Sequence, residues 1–149
     1  MNTGKTYSFM DVTASLAGPA GNIDLGYGSQ NSEEGITIAP EGDKNTLTMG
    51  ADGSGMHSLH AASNGTITVR FLQTSPTNTL LMAMYDTSSL SSLTWGQLSL
   101  NVRNSASGDT TIATNGAFKR KPQVAYGNNG AMLEWVFDFV SVQTVLGVY

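Results

Sequence analysis

Apolar and polar residues alternate with a period of two along most of this chain. Successive side chains of a β-strand point to opposite faces, so the pattern predicts strands with one buried face. In the clearest run, Leu133, Trp135, Phe137 and Phe139 share one face. Shorter runs follow the same pattern, around Met10–Leu16, Ile23–Tyr27, Ile36–Ile38, Ile67–Phe71 and Leu98–Val102. About eight strands predict an all-β fold, an antiparallel β-sandwich or barrel.

The composition suits such a fold. Charged residues make up only 12% of the 149 residues, about half the share usual in globular proteins, and glycine occurs 17 times. Three Asn-Gly pairs, at 64–65, 115–116 and 129–130, predict tight hairpin turns, because both residue types adopt positive φ readily. We expect one domain over residues 1–149, with antiparallel strands.

One segment breaks the alternation and predicts a short α-helix over about residues 75–86. Ser75 suits the N-cap, and Pro76 suits the first helical position, where its missing N–H costs nothing. Leu80, Leu81 and Met84 then recur at helical spacing. Since one short helix cannot form a core alone, we expect it to flank the sheet.

Two polar stretches, residues 28–35 and 39–56, do not read as core. The first carries Glu33 and Glu34, and the second contains four glycines and a charge cluster. Loops longer than about 12–15 residues are uncommon in compact domains and usually serve function or interaction. We therefore expect a long interaction loop at about 39–56.

Charge and targeting signals exclude several classes of function. The net charge of −4 excludes a basic footprint for nucleic acid, and the chain has no cysteine for a thiolate nucleophile or metal ligand. The opening MNTGKTYSFM has no basic region followed by an apolar one, so we expect no secretory signal. The longest apolar run, Leu80 to Tyr85, is far too short to cross a bilayer, so we expect no membrane insertion.

No residue cluster supports a catalytic site. His57 and His60 are the only histidines, and a catalytic zinc needs three protein ligands. Ser58 lacks the flanking glycines of a nucleophile elbow. Glu134 and Asp138 lie four apart on one predicted strand, about 13 Å between Cα atoms, which exceeds the separation in glycosidases. We expect a protein that is not an enzyme and has no cofactor or metal.

A resemblance to a known family is carried by six segments: EGITI (34–38), DKNT (43–46), MGADGSGMHS (49–58), TITVRFL (66–72), TSPTN (74–78) and EWVFD (134–138). Together they resemble the tail tube proteins of contractile-tailed bacteriophages, and the resemblance runs over nearly the whole chain. These motifs are structural rather than catalytic.

The resemblance implies a structural virion protein whose subunits form hexameric rings. The rings would stack into the inner tube of the tail, the conduit for DNA delivery, and would be assembled in the cytoplasm of the host bacterium. The implied partners are other copies of the chain, the tail sheath protein, the tape-measure protein, and baseplate and tail terminator proteins. DNA would pass through the lumen without specific binding.

In a ring of this kind, the long loop would contact the next ring or a neighbouring subunit. The candidate contact residues are Glu33, Glu34, Glu41, Asp43, Lys44, Asn45, Leu47, Met49, Asp52, Met56 and His57. The candidates for lining the lumen are Thr68, Arg70, Glu134 and Asp138. Six copies of net charge −4 carry −24, and an acidic lumen would repel phosphates, provided that Arg70 pairs with a carboxylate.

Two alternatives stay open. The same ring physics applies to the tube of a phage-derived bacteriocin or of a type VI secretion apparatus. A carbohydrate-binding β-sandwich module is the alternative from another class, and Trp95, near a Ser-rich stretch, is its candidate aromatic platform.

Overall fold

The computed structural model of the protein describes residues 5–28 and 31–149, and for residues 31–34 it describes the backbone but not the side chains. This part of the chain contains a short 3-10 turn at Phe9–Asp11, nine strands and one α-helix. In chain order the elements are β1 (Val12–Gly18), β2 (Gly21–Asp24), β3 (Asn31–Pro40), β4 (Asn45–Met49), β5 (Gly55–Leu59), β6 (Gly65–Leu72), α1 (Thr77–Ser88), β7 (Leu98–Asn104), β8 (Thr110–Arg120) and β9 (Met132–Val145).

Seven strands form one antiparallel sheet in the order β2-β1-β7-β8-β9-β6-β3, while β4 and β5 pair as a separate two-stranded sheet. The large sheet curls strongly. Leu16 on β1 and Ile67 on β6 belong to one core cluster, although three strands lie between β1 and β6. The predicted all-β, antiparallel fold with one helix is confirmed, in the form of an open, curled sheet whose end strands are β2 and β3.

The core occupies the concave side of this sheet and is rich in aromatic rings. Trp135, Phe137 and Phe139 are almost fully buried, as the alternation predicts. The ring of Phe118, on β8, lies 4.8 Å from that of Phe137 and 5.8 Å from that of Trp135. Aromatic pairs at these separations add to the free energy gained from burial alone.

Helix α1 closes the concave side. Leu81 and Met84 are buried in the core, and the indole N–H of Trp135 donates a hydrogen bond to the Asn78 side-chain oxygen at 3.0 Å. The helix begins two residues later than predicted, with Pro76 at its N-cap. The Ser75 hydroxyl still accepts a hydrogen bond from the backbone N–H of Thr77, at 3.3 Å, so it serves the helix start from just outside.

The Asn115-Gly116 pair was expected to form a hairpin turn, and this prediction is wrong. Both residues lie inside β8, where the register against β7 shifts between Leu98 and Leu100. Asn115 has a φ of 54°, so its tolerance of positive φ produces a β-bulge instead of a chain reversal. The Asn-Gly pair correctly indicates a positive φ, but the sequence alone does not distinguish a β-bulge from a hairpin turn.

The other Asn-Gly pairs also lie outside tight turns. Gly65 is the first residue of β6, and residues 129–130 lie in the connection between β8 and β9. The expected long loop at 39–56 contains β4 and the start of β5, joined by a tight turn. From Asn31 onward, the backbone of the expected loop 28–35 belongs to β3.

Candidate assembly surfaces

The four predicted lumen residues share the convex face of the sheet. Arg70 on β6 is the register partner of Glu134 on β9, and Thr68 is the partner of Val136 two positions along. Asp138 follows on the same side of β9, opposite Thr66. Their neighbours in sequence point into the core, which fixes them on the opposite face. We call this surface, with Thr37 of β3, the polar sheet face.

Arg70 forms an ion pair on this face. Its Nε lies 3.3 Å from Oε2 of Glu134, and its Nη1 donates a hydrogen bond to the Thr37 hydroxyl at 3.2 Å. The side chain of Arg70 is 21% exposed and that of Glu134 is 51% exposed. The positive charge of the guanidinium is therefore offset by a carboxylate across the strand pair.

Two further carboxylates lie farther along the same face, beyond Thr68 and Val136. The Thr66 hydroxyl is within hydrogen-bonding distance of Asp138 Oδ1, at 3.2 Å, and of Glu41 Oε1. Glu41 lies just after β3, and both carboxylates are exposed. Arg120 of β8 is the register partner of Val136, so this face carries charges of both signs.

A second surface projects from the sheet as an antiparallel arm. The last β3–β6 pair is Pro40 with Gly65, and beyond it the segment after β3 and the segment before β6 continue side by side. The Glu41 N–H donates to the Asn64 carbonyl at 3.1 Å, the Lys44 ammonium to the Ala62 carbonyl at 3.1 Å, and the His60 N–H to the Lys44 carbonyl at 2.9 Å. Strands β4 and β5 then complete it, and we call residues 41–64 the hairpin arm.

Nine of the predicted contact residues lie on the hairpin arm, and all of them are exposed. They are Glu41, Asp43, Lys44, Asn45, Leu47, Met49, Asp52, Met56 and His57. The other two, Glu33 and Glu34, belong to β3 by their backbone, and their side chains lie outside the described residues.

The register of β4 and β5 gives the arm two different faces. Leu47 pairs with His57, Met49 with Gly55, and Asn45 with Leu59, so these six residues share one face. Asn45 Nδ2 and His57 Nδ1 lie 3.0 Å apart on it. The opposite face carries Thr46, Thr48, Met56 and Ser58 and is mostly polar.

The tip of the arm is a tight turn organised by Asp52. Its Oδ1 accepts hydrogen bonds from the Ser54 hydroxyl at 2.6 Å and from the Ser54 N–H at 3.1 Å. These bonds favour the ionised carboxylate, and they lower the pKa of Asp52 below its usual value. The tip thus carries a negative charge at neutral pH.

A third surface is an apolar groove of about 480 Å³, where the curled sheet fails to close on itself. Ile36 and Ile38 of β3 form one wall, and Val12 of β1 with Val102 of β7 forms the other. Phe9, from the start of the chain, and Leu146, from its end, also line it. We call this groove the open seam.

The unpaired edges of the sheet are the fourth feature. Strand β2 stands at one end of the strand order and β3 at the other. Each presents one row of backbone N–H and C=O groups that another strand can pair with.

The two histidines lie apart from each other on the hairpin arm. His57 lies beside Asn45 on one face of the arm, whereas His60 Nε2 lies 2.7 Å from the Thr46 hydroxyl, near the other face. Among the residues that the structure describes, no group of three or more potential metal ligands occurs. In the same part of the chain, no helix has the length and apolarity needed to cross a membrane.

Trp95, the candidate aromatic platform, is half-buried. Its ring packs edge-on against Tyr85 of α1, with 5.9 Å between the ring centroids. A shallow pocket of about 370 Å³ lies beside it and is lined by Ser89, Ser91 and Ser92.

Sequence reasoning did not identify the open seam, the role of Leu59 in the apolar face of the arm, or the nearness of Glu41 to Asp138. Leu59 carried a usable signal, because it continues the alternation of Gly55 and His57. The seam carried none, since its walls come from strands that are distant in sequence.

Comparison with known proteins places these surfaces in a family context. Residues 4–147 match the family model described as "Bacteriophage PhiTE tail tube protein". No curated protein matches the sequence.

Solved structures show a similar fold at low sequence identity. A chain in the cryo-EM structure of the six-fold symmetrised baseplate of the anti-feeding prophage has a TM-score of 0.62 and 11% identity, with 97% of each chain covered. A chain in the sheath–tube complex of an extracellular contractile injection system, PVC, in the extended state has a TM-score of 0.60 and 13% identity, with 97% of this chain and 94% of that chain covered. A chain in the sheath/tube terminator of the PVC system has a TM-score of 0.60 and 16% identity, with 97% and 99% covered.

Proposed function

The chain belongs to the bacteriophage PhiTE tail tube protein family and is a structural tail tube protein, and on that basis we propose that six copies close into a ring and that the rings stack into a hollow tube. In a contractile tail, this tube is the conduit for DNA. The single observation that carries the proposal is the family match over residues 4–147, nearly the full chain.

The free sheet edges support closure into a ring. Strands β2 and β3 end the strand order, and exposed edges of this kind are a liability in a monomer. Pairing the edge of one copy with that of the next removes both liabilities and gives a continuous circular sheet. The low charge content of the chain lowers the cost of desolvating such extensive contacts.

The hairpin arm supports stacking. It prolongs β3 and β6 beyond the end of the sheet, so it reaches along the strand direction and not towards the paired edges. We assign it to contacts with the adjacent ring, together with the exposed contact residues that it carries.

The polar sheet face supports a role as the lumen wall. Arg70 is paired with Glu134, and Asp138 and Glu41 add negative charge to a face that also carries Arg120. A lumen in which carboxylates offset the cations in this way holds DNA phosphates weakly and lets DNA slide. We assign Thr68, Arg70, Glu134 and Asp138 to the lumen.

The proposed partners follow from this architecture. They are other copies of the chain, a sheath around the tube, a terminator at one end, a baseplate at the other, and a tape-measure protein inside before DNA ejection. The structural neighbours are chains of a sheath–tube complex, a sheath/tube terminator and a baseplate. We place assembly in the cytoplasm of the host bacterium and assign the chain no catalytic role.

Thiol labelling and electron microscopy test the assignment of the lumen. Because the chain has no cysteine, Asp138→Cys and Leu90→Cys each introduce a single thiol, on the polar sheet face and beyond α1 respectively. Negative-stain electron microscopy first verifies that both variants form tubes. In solution, we then expect a large polyethylene-glycol maleimide to label Leu90→Cys fully and Asp138→Cys poorly in these tubes. Both should react equally in the unassembled subunit.

Two results would count against the proposal. Equal labelling of Asp138→Cys in subunits and in tubes would remove this face from the lumen. A mass near 15.7 kDa that does not change with concentration in light scattering, with no rings on the grid, would contradict assembly itself.

A second candidate is the tube of an injection device that delivers no DNA. It is favoured by the structural neighbours, which come from an anti-feeding prophage and an extracellular contractile injection system. Purifying the native particles and asking whether the tube is attached to a DNA-filled head separates the two functions.

A further inference from the structure

A polar pocket of about 490 Å³ lies where β8 and β9 separate, at the end of the sheet opposite to the hairpin arm. Its lining includes Arg120, Lys121, Gln123, Met132 and Glu134, and we call it the cationic pocket. We propose that it binds a phosphate group of DNA in the lumen of the tube. This inference rests on the proposed function, because it needs the polar sheet face to line the lumen, and it adds a point of contact between the wall and the DNA.

The lining of the pocket carries more positive than negative charge. Arg120 and Lys121 contribute two cations, and Glu134 contributes one carboxylate. That carboxylate is ion-paired with Arg70, whose Nε lies 3.3 Å from Glu134 Oε2. Within the described part of the chain, neither Arg120 nor Lys121 forms an ion pair with a carboxylate. Two cations are therefore available to an anionic ligand.

The connection between β8 and β9, which forms much of the pocket wall, is held in place by Gln73. The Gln73 N–H donates to the Ala131 carbonyl at 3.0 Å, and the Gln73 side-chain oxygen accepts from the Ala131 N–H at 3.0 Å. The Gln73 amide also donates to the Ala125 carbonyl at 3.5 Å. The ammonium of Lys121 lies 5.1 Å from the centre of the Tyr85 ring, within the range of a cation–π contact. Because the wall is ordered in advance, binding costs less conformational entropy.

The donors of the pocket suit a phosphate group. The guanidinium of Arg120 can donate two parallel hydrogen bonds to the oxygens of one phosphate, and the ammonium of Lys121 adds a compact positive charge. The side-chain amide of Gln123 adds a neutral donor. Both cations are exposed, so each contact is screened by salt and is weak. A weak contact that does not read the bases is compatible with movement of DNA along the tube.

The position of the pocket identifies DNA as the source of the phosphate. Arg120 is the register partner of Val136, which in turn pairs with Thr68 on the polar sheet face. Glu134 lies on the same face. In the proposed ring, six subunits turn this face inwards, so six pockets open at one level of the lumen wall and every ring repeats them. The anion that passes this level in the proposed function is DNA.

Retention of DNA by assembled tubes tests the inference. The samples are wild-type tubes and tubes of the double variant Arg120→Gln with Lys121→Gln, each verified by negative-stain electron microscopy. They are incubated with a short fluorescent duplex DNA at low salt, treated with a nuclease fixed to beads that cannot enter the lumen, and sedimented. We expect the double variant to retain at least about fivefold less protected DNA, because each lost phosphate contact weakens binding.

Arg103→Gln is the matched control, because it removes the same charge from an exposed residue that does not line the pocket. It should change the retained DNA by less than about twofold. Salt dependence gives a second measurement, which a loss of packing would not reproduce. The plot of log binding constant against log salt concentration should become less steep by about one for each phosphate contact that the double variant loses, and should not change in Arg103→Gln.

Four results would count against the inference. Equal retention by wild type and the double variant, or digestion of all the retained DNA by the bead-bound nuclease, would overturn it and leave the proposed function intact. Displacement of the DNA by an equal concentration of inorganic phosphate would assign the pocket to the free ion. Stronger retention of a polyglutamate peptide than of DNA, lost in the double variant, would assign it to an acidic protein. A wild-type chain that forms no tubes would overturn both the inference and the proposed function.

Discussion

A single side-chain hydrogen bond ties helix α1 to the centre of the sheet. Trp135 is fully buried, and its indole N–H reaches the Asn78 oxygen at 3.0 Å. The Asn78 amide N–H₂ group in turn donates to the Leu72 carbonyl at 3.0 Å, at the end of β6. One amide thus gives the buried indole N–H its partner and links α1 to both β9 and the end of β6.

We expect Trp135→Ala to lower the free energy of unfolding by about 3–5 kcal/mol, as measured by urea denaturation, because removing a large buried aromatic side chain leaves a cavity.

Trp135→Phe and Asn78→Ala should each lower the free energy of unfolding by about 1–3 kcal/mol, since each leaves a buried polar group without a partner. Urea denaturation of Trp135→Phe, of Asn78→Ala and of the double variant that combines them measures the coupling free energy between the two side chains. A double variant whose loss equals the sum of the single losses would show that the hydrogen bond contributes nothing.

Gly116 illustrates a residue that packing, rather than backbone conformation, requires. A methyl group built on its Cα would overlap the ring of Phe139, its register partner on β9. The bulge at Asn115 directs this part of β8 onto that ring. The position therefore accepts no side chain without displacing a core aromatic.

Gly116→Ala should reduce stability by about 1–3 kcal/mol, the usual cost of overpacking a core. Gly130→Ala is the matched control, because no heavy atom lies within 4 Å of its added methyl group. The control should change stability by less than about 0.5 kcal/mol in thermal or urea denaturation. Equal stability of the two variants would show that Phe139 moves aside freely.

At the scale of elements, the sequence predicts the strands well where one face is buried and the other is wet. The alternation in β1, β6 and β9 reflects a local rule, since each side chain's face follows from its position alone. The Asn-Gly pairs mislead because positive φ serves a bulge as well as a turn. The sequence predicts a loop where the hairpin arm stands, because every residue of β4 is exposed and its alternation buries no face.

The hairpin arm also gives the prediction at this scale. Deleting residues 42–55 should leave the subunit folded, with a free energy of unfolding within about 1 kcal/mol of wild type, because every removed residue is exposed. The cut joins Glu41 to Met56, and residues 56–63 can then close the gap to Asn64, which is hydrogen-bonded to Glu41 at the base of the arm. Sedimentation and electron microscopy should show subunits or single rings in place of long tubes.

Replacing residues 42–55 with a Gly/Ser stretch of the same length is the control for chain length. It should behave like the deletion if the side chains of the arm make the contact. Unfolding of the subunit by the deletion, combined with normal tubes from the Gly/Ser variant, would remove the arm from assembly.

At the scale of the whole molecule, the candidate lumen residues could be grouped from sequence, whereas the open seam could not. Arg70, Glu134 and Asp138 share a face because two adjacent strands each obey the same alternation. The seam depends on how far a seven-stranded sheet curls, and Phe9 meets Leu146 there across almost the full length of the chain. The curl of a sheet accumulates from the twist between each pair of adjacent strands, so no short segment of the sequence predicts it.

The hairpin arm leaves the sheet at one end of β3 and β6 only, so a stack of rings built through it, as proposed above, has a direction. In such a stack, the last ring at one terminus would display unengaged arms, and the last ring at the other terminus would display none. The two termini would therefore differ chemically, and each would need its own capping protein. Polarity of growth is thus already encoded in a single copy.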